Sequence, residues 1–360
     1  MNACGKNIRI EIFGESHGDG QGVIIDGLKP GIRLDMDYIM AYMSRRRSDG
    51  VLSTARAEED IPEILSGVYN GCTTGAPLAV FIRNTYQKSS DYQLNIPRPS
   101  HADYPAFVKY KGYADLRGGG HFSGRMTAPL VFAGALIAGI LENMGIVIGA
   151  HLLDSGGITD TPFDSVNVDA VLLKELKNEK VAVINKDLTR SIINKIKEMK
   201  EKGDSMGGII ECAVTGLKAG IGSPFFMSLE SVISSLLFSV PAVKGVEFGL
   251  GFAFAQMKGS KANDSYYYEG ETVRTMTNNN GGILGGITSG MPVVFRCALK
   301  PTPSIYLEQD TVDLKEKKDV KLTISGRHDP FIALRALPVI EGMAAIGIYD
   351  LILDSDIYES

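Results

Sequence analysis

The order of apolar, glycine-rich and charged segments predicts an α+β chain, with helices and strands packed in layers. Three observations predict it. Short runs of branched and aromatic residues, bounded by glycine and polar residues, mix with longer helical stretches without a regular βαβ rhythm. One long stretch is apolar on nearly every face and belongs at the centre of a layered core. Neither a P-loop nor a strand-borne GxGxxG is present, which argues against the common nucleotide folds.

Taken in order, residues 8–13, 78–82, 209–214 and 292–298 read as strands, short and rich in branched or aromatic side chains. Residues 37–47 read as a helix. Residues 127–144 form the all-round apolar helix. Residues 189–202 form a surface helix, with Ile192, Ile193, Ile196 and Met199 on one face, lysines on the other and Gly203 as its stop. Residues 330–352 read as a last helix, interrupted at Pro338. Glycine clusters at 118–120, 245–251 and 281–290 are flanked by strand-like segments, so they read as turns lining a ligand, not as linkers.

The chain has 360 residues, 37 basic and 42 acidic side chains and a formal charge of −5. Its length exceeds the usual single core of about 250–300 residues, leaving one bilobal domain or two joined ones open. Global acidity excludes long-range attraction to nucleic acid or anionic membrane, so any anionic ligand needs a local basic cluster. Cys4, Cys72, Cys212 and Cys297 are far apart, form no CxxC pair and read as reduced thiols. The N-terminal segment has no signal-peptide core, and the apolar run 129–141 is too short for a bilayer of roughly 30 Å. Histidines and cysteines show no metal-ligand spacing, and no GxSxG elbow occurs.

Four segments carry candidate chemistry. Phe13 to Gly18, FGESHG, puts Ser16 and His17 at a strand end, as a pocket or as a polar turn. Arg98 to Tyr104, RPSHADY, offers His101 as a second proton donor oriented by Ser100 or Asp103, or as a surface histidine in a proline turn. Arg117 to Arg125 leads three glycines, His121, Phe122 and Ser123 toward the apolar helix; bare amides beside a helix start suit an anion. Gly326 to Pro330 joins Arg327, His328 and Asp329, with Asp329 a natural N-cap and Pro330 a natural first helical residue. The run Arg45-Arg46-Arg47 reads as a solvated face or as a bidentate anion receptor. Lys300 to Ser304, KPTPS, is a stiff loop with a cation and hydroxyls.

In series, FGESHG, SRRR, EILSGV, IRNT, RPSHADY, RGGG, AVKGVEFG, GGILGGITSG, ALKPTPSI and GRHDPFIALRALPVIEGM resemble the successive blocks of the chorismate synthase family, from about residue 7 to about residue 350. The resemblance implies a single domain over 1–360, a β-α-β sandwich and a cytoplasmic homotetramer. It implies a 1,4-anti elimination of phosphate from 5-enolpyruvylshikimate 3-phosphate to give chorismate, with reduced FMN and no net redox change. Electrons would come from NADPH, an outside flavin reductase or another reductant.

By the same resemblance His17 faces the leaving phosphate, oriented by Ser16. His101 faces the flavin, Ser123 bonds near it, and Asp329 relays the proton from flavin N5. Flavin contacts carry over to His121, Phe122, Ser123, Pro241, Ala242, Gly285, Lys300, Pro301, Thr302, Pro303, Ser304 and Arg327. Read from the residues themselves, a substrate with a phosphate and two carboxylates needs a cation cluster, and Arg46, Arg47, Arg125, Arg327 and Arg335 could provide it. This chain departs from the family pattern at His121, Phe122, Pro303 and Ser48-Asp49-Gly50. Three other classes compete: a non-catalytic binder of a flavin or anion, an RNA-binding protein using the arginine run, and a flavin enzyme performing net hydride transfer. Polar residues 44–56 are expected to order on ligand binding.

Overall fold

The computed structural model describes residues 2–48, 50–53, 58–85, 95–324 and 328–358. Two five-stranded antiparallel sheets enclose a layer of helices. The first sheet runs, in spatial order, Ala3–Cys4, Arg9–Gly14, Gly20–Asp26, Leu78–Arg83 and Pro62–Ser66. The second runs Val243–Phe248, Val293–Leu299, Gly208–Thr215, Val147–Ser155 and Ile158–Thr159. The helices between them are Met36–Arg46, Thr127–Asn143, Leu229–Phe238 and Ala333–Ile352.

Burial follows the residue pattern. In Leu78–Arg83 the alternate residues Leu78, Val80 and Ile82 face the helices and are fully buried. Val147–Ser155 is buried along both faces, because Ala333–Ile352 covers one side and the short helix Ala170–Leu176 packs on the strand as well. The helix Thr127–Asn143 touches strands of both sheets, which is why it needs no polar face. The stretch Gly124–Asn143 is long and apolar enough to cross a membrane, and 83% of it is buried inside the protein. Where Thr127–Asn143 crosses Ala333–Ile352, Gly134 and Gly342 meet backbone to backbone; a Cβ built on Gly342 would lie 3.1 Å from the Gly134 Cα. Asp350, near the end of the last helix, accepts the backbone N–H groups of Lys6 at 3.0 Å, Asn7 at 2.6 Å and Ile8 at 2.9 Å.

The strands fall within a residue or so of their expected bounds, and Thr189–Lys202 ends at Gly203 in a left-handed conformation. Three expectations are corrected. Pro338 lies inside an unbroken Ala333–Ile352 helix, since it removes one N–H without displacing the packed faces around it. That helix starts at Ala333, so Asp329 does not cap it and Pro330 is not its first residue; the Asp329 carboxylate accepts from Arg335 Nη1 at 2.6 Å. Among the described residues, only the cluster 118–120 packs against Ser16, His17 and His101. The other two meet each other, Gly249 against Asn279 and Gly281, while Ile283–Leu284 and Ile287–Thr288 form a small hairpin. All four cysteines are free thiols.

Candidate active site

Gly118, Gly119 and Gly120 all have positive φ, at 60°, 89° and 53°. Such a run is open only to glycine, and it lets the backbone lie flat against two side-chain pairs. A Cβ on Gly118 would strike the His17 ring and stand 2.9 Å from Ser16 Oγ. A Cβ on Gly119 would stand 3.3 Å from His101 Nε2 and 3.5 Å from Ser123 Cβ. The Ser16 N–H donates to Gly120 O at 3.1 Å, locking FGESHG to the triplet. Three segments distant in sequence thus meet with two imidazoles and two hydroxyls on one glycine surface.

Each group is held from behind. His17 and Ser16 are buried, and Ser16 Oγ has no hydrogen-bond partner among the described residues. Asn84 fixes their loop by donating to Glu15 O at 2.9 Å and Gly18 O at 2.8 Å. Asp103 Oδ1 lies 2.6 Å from His101 Nδ1 and so favours a proton there, leaving Nε2 toward Gly119. Of the two expected orienters the structure selects Asp103, whereas Ser100 instead accepts Lys300 Nζ on its backbone O. Burial raises the Asp103 pKa, but hydrogen bonds from Arg98 and His101 outweigh it and hold the group well below the usual carboxylate range. Arg117 does the same for Asp115, and the nearby His17 adds to the effect.

The arginines form a second tier. Arg46 pairs with Asp60, which also pairs with Arg125; Arg125 further meets Glu58 and donates to Asn84 Oδ1 at 3.2 Å. Arg335 donates to Arg46 O at 2.7 Å and to Asp329. Contacts therefore run unbroken from Asp329 through Arg335, Arg46, Asp60, Arg125 and Asn84 to the His17 loop. Burial pushes the Arg46 pKa down to about 10, and although Asp60 opposes this, Arg335 and Arg125 add to it, as expected of guanidiniums crowded together. Arg46 Nε and Arg47 Nε are buried with no acceptor among the described residues. The arginine run is thus not a solvated face: Arg45 is bidentate to the fully buried Glu341, at 2.5 and 2.8 Å.

The expected flavin residues separate into groups. Lys300 N–H donates to Ala242 O at 2.9 Å, so Pro241, Ala242 and the Lys300–Ser304 loop sit together beside Ser100 and His101. Lys300 is shifted below its ordinary pKa by burial and by Lys244. Ser304 is buried, and Thr302 O accepts from Ser205 Oγ at 2.7 Å. His121 and Phe122 line an open groove of about 410 Å³ with Phe13, Glu15, Tyr110 and Asp115. Gly285 is an exposed hairpin residue, and nothing lies within 4 Å of a Cβ built on it, so the structure does not bring it against the histidines. Arg327 lies outside the described residues, as does part of 44–56.

Asp60, Glu58 and Asn84 were not singled out from sequence. Asn84 stands in the IRNT block, a usable signal, whereas nothing local marks Asp60. Among the described residues no group of acidic, histidine and cysteine side chains has the arrangement of a metal site.

Two imidazoles on one glycine surface, linked by contacts to crowded arginines, are the equipment of an enzyme that moves protons on an anionic substrate. Comparison with known proteins narrows that class. The chorismate synthase family model matches residues 8–353. The chain is 45% identical over 358 residues to the chorismate synthase of Pyrococcus abyssi, covering 99% of this chain and 98% of that one. It is 44% identical over 357 residues to that of Thermococcus gammatolerans, with 99% and 98% covered. A crystal structure of chorismate synthase matches with a TM-score of 0.77 at 29% identity, over 98% of this chain and 93% of that one. The chain belongs to the chorismate synthase family, flavin-dependent carbon–oxygen lyases acting at the last step of the shikimate pathway toward aromatic amino acids. The β-α-β sandwich expected from sequence is the observed fold.

Proposed function

We propose that this chain eliminates phosphate from 5-enolpyruvylshikimate 3-phosphate in a 1,4-anti sense, giving chorismate, with reduced FMN as its cofactor. The observation that carries the reading is the convergence of Ser16–His17 and Ser123–His101 on Gly118 and Gly119. The missing side chains at Gly118 and Gly119 let both imidazoles pack directly on the backbone, and the Lys300–Ser304 loop beside Ser100 brings a cation and hydroxyls that fit a flavin phosphate. Lys300, Thr302 and Ser304, with Pro241 and Ala242, are the residues that would hold FMN and its phosphate, and His121 and Phe122 would border it. FMN, when bound, supplies electron density that assists phosphate loss with no net redox change.

The protein's own part is electrostatic and protonic. The substrate's phosphate and two carboxylates call for several cations, and Arg46, Arg47 and Arg335 supply them, with Arg125 fixed behind Arg46 through Asp60. His17 donates positive charge or a proton to the leaving phosphate as its C–O bond breaks, with Ser16 beside it against Gly118. His101, steadied by Asp103 at 2.6 Å, keeps Nε2 toward the flavin side. Asp329, held by Arg335 at 2.6 Å, carries away the proton lost from substrate C6. Buried surroundings strengthen each of these interactions. Electrons come from NADPH through an outside flavin reductase, or from another reductant. The chain works as one cytoplasmic unit over 1–360 and assembles as a homotetramer; the exposed Phe225 (83%), Phe226 (93%) and Phe252 (86%) support a subunit contact.

The test is anaerobic. Protein, chemically reduced FMN and substrate are mixed, and chorismate and phosphate are followed together. Equal release with flavin still reduced is expected, and His17→Ala should lower kcat by about 10²-fold or more. Reductant consumed in step with product would replace the lyase with a net redox enzyme. Flavin binding without product would leave only a binder.

A further inference from the structure

We propose that Asp60 is a positioning residue of the substrate receptor: one buried carboxylate that anchors on Arg125 and thereby sets the orientation in which Arg46 meets the substrate's anionic group. The inference rests on the reading of the arginine tier as that receptor.

Asp60 is 3% exposed, and its two oxygens serve two different guanidiniums, Oδ2 accepting from Arg46 Nη2 and Oδ1 from Arg125 Nη1. The three residues come from separate segments: Arg46 closes the helix Met36–Arg46, Asp60 precedes the strand Pro62–Ser66, and Arg125 lies in the turn before Thr127–Asn143. Asp60 adopts φ +52°, a left-handed conformation that aspartate tolerates better than most residues. Its carboxyl remains below the ordinary carboxylate pKa although burial opposes this, because Arg46 and Arg125 outweigh the burial.

The two arginines are not equivalent. Every nitrogen of Arg125 is engaged, by Asp60, Glu58, Asn84 Oδ1 at 3.2 Å and Arg83 O at 3.3 Å. Arg46 has donors to spare: Nε is buried without a described acceptor, and Nη1 reaches Thr127 Oγ1 only at 3.5 Å. Arg125 is therefore the fixed post, Asp60 the strut, and Arg46 the arm that presents N–H groups. A buried guanidinium with unused donors is an incomplete anion site, which the substrate would complete. The alternative, that Asp60 is a plug displaced by substrate, requires ejecting a carboxylate paired to two arginines and leaving its charge elsewhere in the interior, a costly exchange.

Asp60→Asn keeps the size and removes the charge, and its amide N–H₂ faces one guanidinium donor to donor. The expected result is a KM for the substrate raised by about 10- to 100-fold, with kcat changed far less and FMN affinity unchanged. Asp60→Glu, which restores charge, should recover part of the loss. Titration with inorganic phosphate gives a readout independent of turnover, and weaker binding by Asp60→Asn is expected there too. If the wild-type protein makes no chorismate, the lyase reading fails while the phosphate titration still decides the role of Asp60. An unchanged KM and phosphate affinity in a folded Asp60→Asn protein would overturn the inference, and so would a lowered KM, the mark of a plug. Should Asp60→Asn not fold, Asp60→Glu carries the test: its longer arm raises KM if Asp60 positions Arg46, and a wild-type KM overturns the proposal.

Discussion

At the scale of single residues, the site depends on atoms that are missing as much as on those present. Gly118 carries no side chain, and His17 and Ser16 occupy the space one would need. Gly118→Ala should therefore displace the imidazole and strain a backbone at φ 60°, lowering kcat by about 100-fold in the anaerobic assay while the fold melts within a few degrees of wild type. Retained activity would mean the triplet does not position His17. Sequence made this region legible because glycine, serine and histidine occur in one short motif. It did not reveal which of Ser100 and Asp103 steadies His101, since both are near in the chain and only the backbone turn decides. It misread Asp329, whose Asp-Pro context signals a helix start; a tertiary arginine six residues on competes for the same carboxylate and wins. Asp60 was invisible, because its role is defined by two arginines from other segments.

At the scale of elements, two features outside the site carry testable consequences. In the second sheet, His151 is fully buried between Asp160 at 2.9 Å and Glu211 at 3.0 Å. Burial lowers its pKa, but the hydrogen bonds that its ring donates to the two carboxylates outweigh this and raise it above 6.5. The stabilisation is thus complete below pH 6.5 and fades as pH rises through the raised folded value. Asp160 and Glu211 are held below 3.8 and 4.5, so their share is present above those values and is lost as pH falls through the depressed ones. A stability profile by thermal melting should plateau between these limits. His151→Phe, which leaves buried carboxylates short of a cation, should cost about 3–5 kcal/mol and remove the alkaline decline. A profile equally steep in the variant would assign the decline to another group.

The helix crossing is the second feature. Gly134→Ala places a Cβ into the Gly342 backbone, which cannot yield, so loss of about 1–3 kcal/mol in chemical denaturation is expected. Because Thr127 and Arg335 sit at the N-terminal ends of these two helices, KM should rise as well. Helix periodicity and the apolar stretch made both helices legible. Their close approach was not, since a glycine in a helix reads only as a weak former until its partner is known.

At the scale of the whole molecule, strand and helix identities followed from local pattern, whereas membership of one sheet or the other did not. Strand order in each sheet places Pro62–Ser66 outside Leu78–Arg83, and Val243–Phe248 beside Val293–Leu299, pairings between segments that local pattern does not relate. The candidate site inherits that non-locality: it draws on residues from Ser16 to Arg335, so no fragment of the chain contains it.

The carboxylate of Asp350 extends this into time. It closes the backbone of Lys6, Asn7 and Ile8 across as many as 344 positions. At ribosomal speeds of about 5–20 residues per second, the segment entering the first sheet emerges on the order of 20–70 seconds before the group that seals it. Throughout synthesis those N–H groups are bare and available to any passing strand. The last helix therefore acts as a clasp that arrives late, and a slow or paused ribosome lengthens the interval during which a nascent chain is most open to aggregation.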